Sequence, residues 1–374
     1  MSGGRSLLAV NFRDPAHPEA GGAELHLEHI LVEAVARGIA VTWLASGFPN
    51  GAAEDSYRGI RVLRRGNWWN FNWIAPRVLV RELSHPKPDW IVEDINKAPC
   101  LLPFFTARPV AVVVPHLFGA TAFREANPLV ALYVVGLEAL IPWVYRASRV
   151  VVISESTRED LVRRGLDAAR VAVVHCGLDH HTYRVDPAVR KSDAPTILFV
   201  GRLRRYKGLD WVLRSLPAVL ARVPAARLVV VGDGPHGAQL ERDAKRLGIG
   251  HAVAFRGFVS AAEKVRLLQS SWVLIQPSPK EGWGLTVVEA GGCGTAVVAT
   301  DAPGLRDSVR HGVTGLLVRY QDTAALAEAL GRVLEDADLR ERLARAGREW
   351  AARFQWSECA ARSLDFLLAQ GTAR

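Results

Sequence analysis

Short apolar runs alternate with longer amphipathic stretches along almost the whole chain. Residues 6–12 (SLLAVNF), 41–46 (VTWLAS) and 89–94 (DWIVED) have the length and composition of buried strands. VAVVVPHLFGATAF at 110–123 reads as a strand running into a loop. Between the first two strands the period changes. Leu25, Leu27, Ile30, Leu31, Ala34 and Val35 mark one face of a helix that starts near Gly22 and ends before Gly38. Residues 149–165 read as strand, cap and helix, with Ser154 or Ser156 as the cap and acidic residues in the first turn. RVAVVHCGLD (170–179) closes the first half. Residues 177–195 have no apolar periodicity and read as a linker. The second half repeats the alternation, with strands expected at 196–200, 227–231, 253–255, 272–276 and 296–299. Helices are expected at 208–221, 236–247, 260–269 and 285–292, and the tail from about 321 is helical. This pattern predicts an α/β protein with parallel, doubly wound sheets in two domains, 1–176 and 196–354.

Composition fits that picture. A chain of 374 residues has the length of two ordinary domains, and 49% hydrophobic residues with a mean hydropathy of +0.08 supply both cores. Cysteines 100, 176, 293 and 359 are far apart with no CxxC pair, which argues against a disulfide scaffold or zinc site and suits a reducing cytoplasm. No signal peptide is read at the start. The net charge of +9 comes from 40 Arg and seven Lys against 38 acids. No basic stripe is interleaved with stacking aromatics, so a nucleic-acid partner is not expected. An anionic membrane or a phosphate-bearing substrate suits the charge better. PLVALYVVGLEALIPWVY (128–145) approaches the length of a spanning helix. Glu138 and Pro142 interrupt it, so it is expected to be a buried core helix, with partial insertion at a membrane surface left open. NWWNFNW (67–73) is an aromatic cluster that suits sugar rings or lipid, or else a packed cap over the sheet edge. His26 and His29 are expected at the surface.

The candidate chemistry centres on QPSPKEGWGLTVVEAGGCGTAVVAT (276–300). A helix starting near Gly284 or Leu285 presents unpaired N–H groups, and the small residues Gly282 and Gly284 let an anion approach. Glu281 in the loop and Glu289 in the helix suit hydroxyls rather than the anion. Arg202 and Lys207, in VGRLRRYKG after the strand 196–200, suit a diphosphate. Asp336-Ala337-Asp338 sits between helices and reads as a cap rather than a metal motif.

These motifs resemble the retaining GT-B glycosyltransferases of the GT4-like group. Glu281 to Glu289 matches that family's E-x7-E motif, GRLRRYKG its Arg/Lys pyrophosphate motif, VVVGDGP (229–235) its next strand and loop, and FRGFVS (255–260) its nucleobase loop. The Gly21-Gly22 pair resembles its N-terminal glycine loop, and His116 its N-domain histidine. The resemblance implies two Rossmann-like domains facing across a cleft, with a terminal helix at about 355–374 packed back on the first. It implies transfer of a hexose from a UDP- or GDP-linked sugar to a glycan, lipid-linked or small-molecule acceptor, with retention and without cofactor or metal. Catalytic positions would be His116 and Glu281. Donor contacts would be Gly22, Arg202, Lys207, Gly257, Phe258, Gly282, Gly284, Leu285 and Glu289. The first domain would receive the acceptor. The expected location is the cytoplasm, with peripheral contact at the inner face of the membrane left open. A sugar phosphorylase or nucleotide-sugar epimerase on the same fold is the alternative, followed by a non-catalytic carbohydrate-binding protein. A glycosidase does not explain the basic pair, and a dehydrogenase lacks the full G-x-G-x-x-G pattern.

Overall fold

The computed structural model of the protein describes residues 5–83, 87–125 and 127–369. Two compact units divide the chain: Leu178–Gln355 forms one, and the residues before and after it form the other.

The first unit runs β1 (Ser6–Val10), α1 (Gly22–Ala36), β2 (Ala40–Ala45), β3 (Glu54–Tyr57), β4 (Ile60–Arg64), α2 (Phe71–Arg81) and β5 (Trp90–Asp94). It continues with β6 (Val110–Val114), α3 (Ala122–Glu125), α4 (Pro128–Val144), β7 (Val150–Val152), α5 (Glu155–Arg163) and β8 (Val171–Val173). Among the described residues its sheet has the order β3-β4-β2-β1-β5-β6-β7-β8. All neighbours are parallel except the hairpin β3–β4. That hairpin and α2 are not foreseen in the sequence. Arg58 (φ 48°) and Gly59 (φ 81°) both have positive φ, the turn that matches the strand twist in a two-residue hairpin.

The second unit runs β9 (Thr196–Val200), α6 (Leu209–Arg222), β10 (Arg227–Val231), α7 (Gly237–Arg246), β11 (Val253–Phe255), α8 (Ala261–Ser270) and β12 (Val273–Gln276). It ends with α9 (Leu285–Gly292), β13 (Ala296–Thr300), α10 (Leu305–Ser308), β14 (Leu316–Val318), α11 (Thr323–Glu335) and α12 (Ala337–Ala351). Its order is β11-β10-β9-β12-β13-β14, wholly parallel. Side-chain caps set several helix starts: Ser154, Ser260, Asp322 and Asp336 accept N–H groups of Thr157, Glu263, Ala325 and Leu339. The last helix, α13 (Trp356–Leu368), belongs to the first unit and packs on α1. Residues 370–374 of the span expected for it lie outside the described residues.

Two expectations are corrected, and a third stretch divides between its two readings. His26 is not at the surface: α13 covers it, so that its side chain is fully buried with no hydrogen-bond partner, while His29 stacks on Trp356 at 4.1 Å. Burial lowers the His26 pKa to about 4, with His29 adding to the effect. The helix at 128–144 is not a core helix. Its outward face is apolar and exposed, and its charged residue, Glu138, is fully buried on the inner face with Ala131 and Ile141. The aromatic cluster is not one surface. Phe71 is in the core, Trp68 packs on Phe12 under Arg13 and Lys97, and Trp69 and Trp73 face outward.

Glu93, at the end of β5, is also fully buried. It accepts N–H groups of Cys100 (2.5 Å) and Leu102 (3.4 Å) and the Tyr145 hydroxyl (2.8 Å), fixing the loop after the strand. Burial raises its pKa to about 7 despite these bonds. A folded pKa above the unfolded one means that its stability contribution is present at low pH and lost as pH rises toward 7. Glu93→Gln removes that titration. Thermal unfolding from pH 5 to pH 8 should therefore show the wild type losing stability relative to Glu93→Gln.

Candidate functional site

In an open α/β sheet the ligand crevice forms at the carboxyl ends of the strands, where the order reverses. In the second unit that point lies between β9 and β12. The loops after these strands are 201–208 and 277–284, which hold Arg202, Lys207, Glu281, Gly282 and Gly284 of the sequence-predicted site.

Close backbone approach makes the crevice. Gly208 (φ 75°) lies where a Cβ would come 2.5 Å from the Pro277 carbonyl, and the Trp211 indole N–H donates to that carbonyl at 3.1 Å. Gly232 packs so tightly on Gly201 that a Cβ would meet its carbonyl at 2.0 Å. The Gly232 N–H also donates to Gly257 at 2.8 Å, tying in the FRGFVS loop. On the other side, Gly304 sits where a Cβ would fall 2.1 Å from the Glu281 carbonyl, and the Glu281 N–H donates to Pro303. Five loops are thus laced into one rim by close backbone approach.

Across the switch point the Lys207 ammonium donates to Glu281 Oε1 at 2.5 Å, and the Gln276 amide donates to the same oxygen at 2.9 Å. Burial pulls the Lys207 pKa down, but Glu281 and Tyr206 outweigh it and leave it raised, so the cation is held. Arg202 is exposed on the same loop. Helix α9 starts one step beyond, at Gly284 (φ 85°), with no side-chain cap, so its first N–H groups and positive dipole end are unused by side chains. Gly282, Gly284 and Leu285 lie at that start. Phe258 is 89% exposed beside Gly257, leaving an aromatic face open.

Glu289 faces a second cation that the sequence reading missed. Lys264 Nζ lies 2.8 Å from Oε1 and 2.7 Å from Oε2, and also donates to the Tyr183 hydroxyl at 3.1 Å. Burial and Glu289 push the Tyr183 pKa up to about 12. Lys264 stands four residues into an ordinary amphipathic helix, and no local pattern marks it. Tyr183 and Gly304 were missed for the same reason, since each acts through a distant neighbour, and Gln276 carries no motif although its partner is five residues on.

His116 and Gly22 lie in the first unit, at the corresponding edge of its sheet. His116 is half-buried two residues past β6, with its ring 5.0 Å from that of Phe118. Glu138 fixes this loop by accepting the Phe118 and Gly119 N–H groups at 2.6 and 2.9 Å. Gly22 opens α1, where Glu24 reaches back to the Gly21 N–H at 2.8 Å. At the switch point between β1 and β5, Asn11 donates to Asp94 at 2.8 Å and Asn96 to Glu24 at 3.0 Å.

Two family models match the chain. One, glycosyltransferase family 4, covers residues 20–182, and the other, glycosyl transferases group 1, covers 185–350. The chain belongs to the family 4, or group 1, glycosyltransferases. A D-inositol 3-phosphate glycosyltransferase of Corynebacterium urealyticum is 38% identical over 218 residues, 53% of this chain and 51% of that protein. A GDP-mannose-dependent alpha-(1-6)-phosphatidylinositol monomannoside mannosyltransferase of Mycobacterium tuberculosis is 31% identical over 238 residues, 59% and 62% respectively. The chain thus spans between about half and two thirds of the length of these curated relatives. Among solved structures, a sucrose-phosphate synthase of Thermosynechococcus elongatus superposes with a TM-score of 0.79 at 23% identity, covering 96% of this chain and 97% of its own. Anabaena HepE, solved with UDP and glucose, gives 0.76 at 20% identity, covering 98% and 100%. These likenesses establish the GT-B fold, two Rossmann-like domains with a helical end.

The ion pair at the switch point yields a direct test. Lys207→Met removes the Lys207 ammonium from the part-buried Glu281 and should cost roughly 2–3 kcal/mol, while Lys207→Met with Glu281→Gln should recover more than half of that loss. Chemical unfolding of both variants measures it.

Proposed function

We propose that this chain is a retaining glycosyltransferase that moves a hexose from a UDP- or GDP-linked sugar to a glycan, lipid-linked or small-molecule acceptor. The observation that carries the proposal is the Lys207–Glu281 pair at the switch point of the second sheet, beside the uncapped start of α9.

Cleavage of the bond between sugar and diphosphate leaves negative charge on the departing nucleoside diphosphate. Lys207 has three N–H donors and can keep Glu281 while contacting a phosphate oxygen. Arg202 and the N–H groups at Gly284 and Leu285 add charge stabilisation that requires no rearrangement of solvent. Gly282 keeps the loop open to the ligand. Glu281 then suits the sugar hydroxyls and Glu289 the ribose, with Gly257 and Phe258 offering backbone and an aromatic face to the base. Gly22 and His116, at the ligand-receiving edge of the first sheet, take positioning roles, and the acceptor belongs to that unit. No metal or cofactor is assigned. The four buried free cysteines fit a reducing compartment, and we place the protein in the cytoplasm. Two relatives are named for inositol-phosphate or phosphatidylinositol acceptors, so a phosphorylated polyol is the first acceptor class to assay.

The test is thermal stability against UDP, GDP and their sugar conjugates, followed by transfer assays. One nucleoside diphosphate at ~100 times its dissociation constant should add about 2.7 kcal/mol. Lys207→Ala should lose that shift and lower transfer by ~10²-fold or more. Chelator should leave turnover unchanged. No shift with any nucleotide, or phosphate-dependent glycoside cleavage instead of transfer, would overturn the reading.

A further inference from the structure

Helix α4 is inside out. A helix on a water-facing surface normally turns its polar face outward. Here the outward face is formed by Leu129, Leu132, Tyr133, Leu140 and Trp143 at helical spacing, with Leu129 76% and Leu132 and Trp143 each 61% exposed. The helix has one charged residue, Glu138, and it points inward. Glu138 is committed to the loop that carries His116, so rolling the helix to hide its apolar face would strand a buried carboxylate.

The apolar surface extends beyond the helix. Phe104, in the turn Leu102–Phe104, packs its ring 5.4 Å from Trp143, and Tyr133 is hydrogen-bonded to Asn72 of α2. Between α2, this turn and α4 lies a groove of about 440 Å³, lined by Trp73, Val80, Leu101, Phe104, Phe105 and Leu137 among others. Exposed apolar area of this extent marks an interaction surface. Its polar lining is cationic: Arg77 and Arg81 of α2 stand at the groove and are exposed. Arg108 and Arg146, both exposed, follow the aromatic turn and α4 in sequence. Two acids described beside it are engaged, Glu138 as above and Glu82 with Arg65 at 3.0 Å. Trp and Tyr beside Arg, around a purely hydrocarbon face, match the layered chemistry of a lipid headgroup region. No described helix is long and apolar enough to cross a membrane, so contact is from one side.

The geometry points to an anionic phospholipid leaflet as the occupant of this face. The outward side of α4 lies in the headgroup–acyl boundary, a hydrocarbon chain enters the groove, and Arg77 and Arg81 meet the phosphates. This goes beyond the transferase reading and does not depend on it, because the face is built from residues of the first unit alone.

The test is co-sedimentation of the full chain with phosphatidylcholine vesicles, with and without phosphatidylglycerol. The wild type should partition onto the anionic vesicles. Leu132→Ser with Trp143→Ser should lower that partition ~10-fold or more, and Arg77→Glu with Arg81→Glu should remove the preference for anionic lipid. Val313→Ser, at an exposed apolar position of the second unit, should change nothing. Unchanged melting temperature and nucleotide response in the variants show that fold and donor site are intact, which separates this result from any failure of the transferase reading. Wild-type protein that ignores both vesicle types, variants that partition like it, or a wild-type dimer that the α4 variant dissociates would each overturn the proposal.

Discussion

A buried cation and a buried carboxylate are each costly alone and tolerable together. The part-buried Lys207–Glu281 pair brings such a cation and carboxylate together at the point of the second sheet where strand order reverses. The rest of that unit is arranged to make the pair possible. Gly208 lets the first loop lie against Pro277, Gly304 lets the third press on the Glu281 backbone, and the Gln276 amide shares the acceptor oxygen. Lys264 and Glu289 repeat the device one helical turn away. The crevice therefore carries fixed charge of both signs, each held at a stated atom, before any ligand arrives. Such pre-set polarity suits a ligand that is itself part anion and part polyol.

The first unit uses buried carboxylates differently. Glu93 and Glu138 accept backbone N–H groups, and each fixes the loop that follows a strand. Glu138 fixes the loop of His116 from the inner side of α4, which leaves the outer side of that helix free of charge. Loop positioning and the apolar outer face are thus two consequences of one residue.

Most of the fold was legible because both sheets are wound from strands whose apolar runs are short, bounded and regularly spaced. Strands β9 to β13 of the second unit lie within a residue of the positions that periodicity assigns and α9 begins at the leucine expected, whereas the short β14 was not foreseen. Failures came where meaning depended on a partner far along the chain. His26 reads as a surface residue until α13 is laid over it. The 128–144 segment reads as core because hydropathy records how apolar a helix is but not which way it faces. The β3–β4 hairpin escaped because its turn, Arg58-Gly59, lacks the usual Asn or Asp before the glycine. Within the candidate site, Arg202, Lys207, Glu281 and Glu289 were readable from their places after strands and at a helix start. Lys264 and Tyr183 were not, since only the fold brings them to Glu289.

Amide hydrogen exchange of the full chain, with and without a saturating nucleoside diphosphate, tests most directly whether the crevice of the second unit is the donor site. The account predicts slowed exchange in three segments, 201–208, 256–260 and 281–289, with the start of α9 protected most strongly. Slowing confined to the first unit, or none in these segments while the nucleotide is demonstrably bound, would contradict it.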